Sequence, residues 1–226
     1  MSKQDTTAKD VRDWILNRKE DYFAVWDRLS YCRNILLNGR IDAAVRMLKR
    51  SYTFAVMSIQ TSKDRHEDAF VSHYSGKLRR KEAYLQTVYG GQKFNWDRKT
   101  FKNVNWSLLV LAIRKHVENN RFDVLLDVIV DQLTGVSHRK GAFMLSMIGI
   151  TEYMCIDSNV AQFADIDTQR EYNSSGDYLS DCKQIVKAID MPHMPNFIIQ
   201  WAIYDVQRGE HSRHMAFYRE VLYTNE

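Results

Sequence analysis

The segment LTGVSHRKGAFMLSMIG, residues 133–149, joins a tight turn to a cluster of basic side chains. Apolar residues at helical spacing flank the turn Gly135-Val136-Ser137, so the pattern predicts two helices connected by a hairpin. Such a hairpin directs backbone N–H groups outward, where they can bind a nucleic-acid phosphate without reading base sequence. The second helix then begins with three basic residues, His138, Arg139 and Lys140. A glycine-containing hairpin is also a common structural connector, so both interpretations stay open at this point.

A carboxylate lies in a second segment, MCIDSNV at 154–160. Asp157 follows an apolar, strand-like run and precedes Ser158 and Asn159, which places it at the start of a helix. The dipole of a following helix stabilises an ionised carboxylate, and such a carboxylate can stabilise positive charge that develops in a transition state. An Asp followed by Ser and Asn is equally typical of an N-cap without a catalytic role.

A third segment, FAVMSIQTSKDRHEDAF at 54–70, ends an apolar helix with Gln60 and Thr61. The three segments, in this order and at these separations, resemble the helix-hairpin-helix superfamily of DNA glycosylases, in particular its endonuclease III, MutY and 8-oxoguanine glycosylase branches. The resemblance covers residues 40 to 160, and the flanks match only in helical character. It implies an enzyme that flips a damaged or modified base out of double-stranded DNA and hydrolyses its N-glycosidic bond.

The resemblance implies a role for each segment. Asp157 would stabilise the oxocarbenium-like sugar cation or activate the attacking water. Gln60 would fill or read the gap that the flipped nucleotide leaves. DNA contacts are implied for the hairpin, the start of its second helix and the helix after Asp157, namely at Gly135, Val136, Ser137, His138, Arg139 and Asn159.

The catalytic lysine of bifunctional family members has two candidate positions here. In those members a lysine of the hairpin attacks the sugar as an amine and then breaks the strand. An alignment without gaps from Gly135 to Asp157 places Arg139 there, and an arginine cannot form a Schiff base because it stays protonated. One extra hairpin residue would place Lys140 there. The ungapped register predicts a monofunctional glycosylase, with Lys140 as the candidate for abasic-site (AP) lyase activity. Ser137 stands where the family prefers a glycine.

We expect neither a cofactor nor a catalytic metal. Nothing after Cys182 supplies the four ligands of the iron–sulfur cluster that many endonuclease III-like enzymes carry. His193, His211 and His214 lack an accompanying metal-ligand pattern and are expected to be solvated. The resemblance implies at most a structural monovalent cation on the hairpin carbonyls of residues 133–136. Four aromatic residues are candidates for the wall of a base pocket, although their spacing is also typical of plain core: Trp106, Phe143, Trp201 and Tyr204.

The elements that must position these residues are predicted to be helices. Two prolines and nine glycines in 226 residues leave few chain breaks. Apolar periodicity predicts helices over 25–36, 45–59, 106–117, 122–133, 178–188, 197–206 and 215–223. Asn38-Gly39 is expected to close the first of them with left-handed backbone. The basic clusters at 77–81 and 98–102 are interpreted as solvated surface.

Composition is that of an ordinary globular protein. Hydrophobic residues make up 45% of the chain and charged residues 27%, a balance that can bury a core. A net charge of +4 is compatible with an anionic partner but does not require one. Three separated cysteines indicate a reducing, intracellular setting, in the cytoplasm or nucleoid, and no apolar run has membrane-spanning length. We expect no membrane association and a monomer.

The helical periodicity predicts an all-α fold, and the resemblance implies that it is two-lobed, of the helix-hairpin-helix glycosylase type. Residues 40–152 would form a helical barrel lobe, residues 1–39 and 153–226 the second lobe, and the active site would lie in the cleft between them. Two other functions stay open: a non-catalytic DNA-binding module, and a transferase that modifies a DNA base on the same fold. The sequence does not identify the base, nor whether the enzyme serves repair or defence against modified foreign DNA.

Overall fold

The computed structural model describes residues 6–209, and every regular element in that range is an α-helix, which confirms the all-α prediction for this part of the chain. The predicted helix at 215–223 lies outside the described residues. In chain order the helices are α1 (Ala8–Asn17), α2 (Lys19–Asn38), α3 (Ile41–Met57), α4 (Lys63–Tyr74), α5 (Arg80–Leu85), α6 (Gly90–Asn103), α7 (Trp106–Glu118), α8 (Phe122–Gln132), α9 (His138–Met147), α10 (Ser158–Phe163), α11 (Ser175–Ile189) and α12 (Asn196–Arg208).

Two helices each have many neighbours. α3 contacts α2, α4, α6, α7 and α9, and every residue from Ser51 to Met57 is buried. α12 contacts α1, α2, α9, α10 and α11. Because α2 and α9 contact both α3 and α12, they join the two sets of helices, and one continuous cluster of buried apolar side chains runs through both.

The predicted hairpin connects α8 to α9. Gly135 adopts φ +80°, and a Cβ at this position would lie 2.5 Å from the indole of Trp96. Backbone conformation and packing therefore both require glycine here. Thr134 fixes the turn from the other side: its N–H donates to Thr100 Oγ1 at 3.1 Å, and its carbonyl accepts from the Tyr52 hydroxyl at 3.1 Å.

The prediction for Asn38-Gly39 is correct in placing a helix end and wrong about the backbone. Gly39 ends α2 with φ −74° and ψ 177°, which is extended rather than left-handed. A Cβ at Gly39 would lie 2.6 Å from the carbonyl oxygen of Ile35, so lack of space, and not positive φ, explains the glycine.

Basic side chains from distant helices bind the carbonyl groups at several helix ends. Arg114 of α7 donates to the carbonyls of Leu36 at 2.6 Å and Gly39 at 2.7 Å, at the end of α2. Arg12 of α1 donates to the carbonyl of Ile189 at 2.9 Å, at the end of α11. The last carbonyls of a helix lack partners within the helix, and a cation placed there also interacts favourably with the helix dipole.

Candidate functional site

A cavity of about 240 Å³ is lined by helices that pack around α3 and by α12. Its wall comes from the α3–α4 turn, α4, α9, the extended segment before α10, and one face of α12. The lining residues with polar chemistry include Ser58, His66, Lys140, Asp157 and Gln200. The cavity thus combines the predicted carboxylate with one of the two candidate cations.

Lys140 and not Arg139 lines this cavity. Lys140 Nζ donates to Ser58 Oγ at 2.9 Å and lies 5.2 Å from the centre of the Phe143 ring. Lys140 and Phe143 are three residues apart on α9 and therefore share one face of the helix. Lys140 therefore lines the same cavity as Asp157. The ungapped alignment had placed Arg139, not Lys140, at the position of the family's lysine.

Arg139 is directed elsewhere because consecutive residues of a helix are rotated by about 100°. Its guanidinium donates to the carbonyl of Thr168 at 2.8 Å, of Arg170 at 3.1 Å and of Asp167 at 3.4 Å. Arg139 therefore fixes the loop between α10 and α11. Its predicted contact with DNA stays a prediction.

Asp157 is both an N-cap and a cavity residue. Its Oδ1 accepts from the N–H groups of Asn159 at 2.9 Å and Val160 at 3.0 Å, the first turn of α10. Oδ2 makes no hydrogen bond within residues 6–209. The capping interpretation and the chemical one are therefore compatible, because the cap uses one of the two oxygens. The carbonyl of Asn159 accepts from Gln207 Nε2 at 3.1 Å.

His66 presents a neutral imidazole to the cavity. Burial, and secondarily the charge of Lys140, lower its pKa to about 4. Nδ1 lies 3.0 Å from the carbonyl of Ser62 and must carry the proton to bond with it, so Nε2 is the unprotonated nitrogen. The thiol of Cys155 is neutral as well, because burial raises its pKa to about 12.

A buried lysine organises the turn after α3. Lys93 Nζ donates to the carbonyls of Met57, at 3.0 Å, and Ile59, and to Thr61 Oγ1 at 2.8 Å. Burial and the nearby charge of Lys140 lower the pKa of Lys93 to about 8. Lys93 thereby supplies hydrogen bonds to carbonyls at the end of α3. It also fixes the part of the cavity wall that the α3–α4 turn forms.

Gln60 lies in the same turn with φ +50° and is exposed, next to Thr61, which lines the cavity. This position is compatible with its predicted role at a DNA surface, which stays a prediction.

The remaining hairpin residues predicted to contact DNA do not line this cavity. Val136 is buried, whereas Ser137 is exposed and caps α9 without a side-chain hydrogen bond. His138 Nε2 lies 2.8 Å from Asp127 Oδ1. As for a monovalent cation, the carbonyls of Leu133 and Thr134 already accept hydrogen bonds within the turn and from Tyr52, so we assign no functional step to such an ion.

Three of the four candidate aromatic residues line the cavity, namely Phe143, Trp201 and Tyr204. The rings of Trp201 and Tyr204 lie 5.4 Å apart at 71°. Trp106 is core instead: it packs against Tyr52 and Phe101, with ring centres 5.7 and 5.1 Å away.

Sequence reasoning missed Ser58, His66 and Gln200. For Gln200 a signal exists, because Gln200, Tyr204 and Arg208 repeat every fourth residue and therefore share one face of α12, and all three line the cavity. His66 and Ser58 have no comparable signal, since His66 lies in a polar stretch and Ser58 is a single hydroxyl after an apolar run.

A larger cavity of about 560 Å³ lies beside α8 and α11, with Phe122, Leu179 and Val186 in its wall, and it contains none of the predicted site residues. Among residues 6–209, no three His, Cys, Asp or Glu side chains converge as they would around a metal ion. His193 is exposed, and His211 and His214 lie outside that range. No helix of the described part is long and apolar enough to cross a membrane.

No protein-family model, curated protein or solved structure matches this chain. The functional conclusion therefore depends on the geometry and chemistry of the cavity together with the sequence pattern.

Proposed function

We propose that this protein is a DNA glycosylase of the helix-hairpin-helix superfamily that removes a damaged or modified base from double-stranded DNA. The proposal includes that family's two-lobed fold, with residues 40–152 in one lobe and 1–39 plus 153–226 in the other, and a monomer that acts inside the cell. One observation carries it: Lys140 and Asp157 line a single cavity whose wall also contains three aromatic side chains.

The chemistry requires the base to leave the stack and enter this cavity, where aromatic rings replace its stacking partners. Lys140 first loses a proton to solvent water, and its amine then attacks C1′ of the sugar. The N-glycosidic bond breaks and the base departs with the bonding electron pair, to be protonated on release. Asp157 stabilises the positive charge that the sugar develops before the new bond is complete. Opening of the sugar ring gives a Schiff base, from which loss of a C2′ proton to water expels the 3′ phosphate and breaks the strand.

This proposal differs in one respect from the ungapped alignment, which favoured a monofunctional enzyme. A lysine amine that lines the cavity with the carboxylate supports AP-lyase activity, whereas Arg139 bonds backbone carbonyls. Donors for DNA phosphates are the amides at the start of α9, where the first backbone hydrogen bond runs from Gly141 N to Ser137 O at 2.7 Å. Lys63 and Arg208 add positive charge at the cavity.

The test uses a duplex with one preformed abasic site, because its result does not depend on the identity of the base. With borohydride present, the wild-type protein should form a covalent complex through reduction of the Schiff base. Lys140→Gln should form none. Lys19→Gln, which removes the same charge at an exposed position on α2, should trap as well as the wild type. Absence of trapping by the wild type would overturn the lyase mechanism.

A panel of duplexes separates base removal from the alternatives. It contains 8-oxoguanine, thymine glycol, an adenine opposite guanine, and a glucosylated hydroxymethylcytosine, each followed by alkali treatment to reveal abasic sites. Release of one base that is lost in Asp157→Asn supports the proposal. Binding without release of any base favours a non-catalytic module, and a base changed in mass but still attached favours a transferase.

A further inference from the structure

Gln200 on α12 is 3% exposed and lines the cavity. Its Oε1 accepts from the backbone N–H of Cys155 at 2.7 Å. A backbone N–H can only donate, so the amide must turn its oxygen toward Cys155 and its nitrogen away from it. The orientation of the Gln200 amide is therefore fixed by one hydrogen bond whose donor and acceptor are known.

The amide nitrogen of Gln200 has no partner of its own. It makes no hydrogen bond within residues 6–209, and it is not among the polar atoms there that are sealed from solvent. The nitrogen is accessible to solvent, and the space that Gln200 lines is the cavity. Water in the cavity can accept from this nitrogen, so a ligand that displaces the water must supply an acceptor in its place or leave the donor unsatisfied.

The bond to Cys155 also connects Gln200 to the proposed catalytic carboxylate. The carbonyl of Cys155 accepts from the N–H of Asp157 at 2.9 Å, so the backbone of this one residue bonds to both Gln200 and Asp157. Nearby, Trp201 and Tyr204 supply aromatic surface. A group bound by Gln200 would therefore be held close to the segment that positions Asp157.

We propose that Gln200 is a specificity-determining residue that donates a hydrogen bond to the extruded base, and that the substrate is a base with an acceptor, a carbonyl oxygen or an unprotonated ring nitrogen, at the edge that reaches α12. This inference rests on the proposed glycosylase function. The role concerns the base alone, since an abasic sugar offers nothing for the amide to bind.

That difference provides the test. Gln200→Glu keeps the shape and an oxygen for the Cys155 N–H, but replaces the free donor by an acceptor. Release of the base that the wild type removes from the panel duplexes should fall at least about tenfold. Borohydride trapping on a preformed abasic site should keep the wild-type rate. As pH falls, protonation of the introduced carboxyl restores a donor, so the ratio of variant to wild-type base release should rise.

Each other outcome has a defined meaning. Equal losses in base release and abasic-site trapping in Gln200→Glu would show a merely structural role and overturn the inference. Unchanged base release in this variant would also overturn it. Gln184→Glu serves as the matched control, because it makes the same change at an exposed position on α11 outside the cavity lining, and it should release the base normally. A wild type that neither traps nor releases a base would overturn the proposed function itself, which the Gln200 variant cannot do.

Discussion

Lys140 Nζ donates a 2.9 Å hydrogen bond to Ser58 Oγ, which joins α9 to the residue that ends α3. The same hydroxyl donates its proton to the carbonyl of Ala55 at 2.8 Å. Its oxygen can therefore only accept from Lys140 Nζ. The position of Lys140 in the cavity is therefore set by a contact between two helices rather than by α9 alone.

Removal of this contact should slow the chemistry more than it destabilises the fold. In Ser58→Ala we expect abasic-site trapping about fivefold slower, since a net hydrogen bond contributes about 1 kcal/mol. The measurement is the single-turnover rate of covalent complex formation. Ser62→Ala is the control, because Ser62 lines the same cavity without a side-chain cap bond or a bond to Lys140. Equal rates for both variants would contradict a positioning role for Ser58.

The two roles of Asp157 can be separated by two substitutions. Asn caps a helix as well as Asp, so Asp157→Asn should keep the free energy of unfolding, whereas Asp157→Ala should lose about 1 kcal/mol. Both variants lack the charge, and both should release base at least about 100-fold more slowly. Denaturant unfolding and base-release assays give the two numbers. Normal base release by Asp157→Asn would reduce the residue to a cap.

Gly135 should be sensitive to substitution for a reason beyond its backbone angle. Gly76 has nearly the same φ, +77°, but a Cβ there meets nothing within 4 Å, whereas a Cβ at Gly135 meets Trp96 at 2.5 Å. Both Gly→Ala changes carry the left-handed strain of about 1 kcal/mol, and Gly135→Ala adds overpacking of roughly 1–3 kcal/mol. Unfolding free energies of the two variants should differ by this amount, and equal values would contradict the Trp96 contact.

Protonation of His66 should destabilise the protein in acid. Its pKa is about 4 when folded and 6.5 in the reference state, so between these values the unfolded chain binds more protons. The free energy of unfolding contributed by this group therefore falls as pH drops from 6.5 to 4, by roughly 3 kcal/mol. His66→Gln should lose that part of the pH dependence while keeping a donor for the Ser62 carbonyl. Parallel pH profiles of the two proteins would refute it.

α7 was predictable from its apolar period, whereas α6, which buries polar residues, was not. The predicted range 106–117 is confirmed as α7, Trp106–Glu118, because its buried positions are apolar. No helix was predicted over α6, although it spans Gly90–Asn103, because its buried positions hold Lys93, Asp97 and Thr100. Hydrophobic periodicity cannot register a helix whose inward face is polar.

The site was predictable as far as local pattern reaches. Asp157 and the hairpin were identified from their segments, but the choice between Arg139 and Lys140 depends on one residue of register, a rotation of about 100° on α9. The spacing of Gln200, Tyr204 and Arg208 indicates one shared face of α12, but the orientation of the Gln200 amide depends on Cys155, a residue 45 positions earlier in the chain. Such a contact leaves no trace in the spacing of nearby residues.

The cations that bind helix ends change what the overall charge implies. Lys93, Arg114 and Arg139 all count toward the formal charge of +4, yet each donates to backbone carbonyls of the protein itself. Counterions are released from DNA only where a cation reaches a phosphate. The salt dependence of DNA affinity should therefore follow the smaller set of cations at the cavity, such as Lys63 and Arg208, and be shallower than the basic composition suggests.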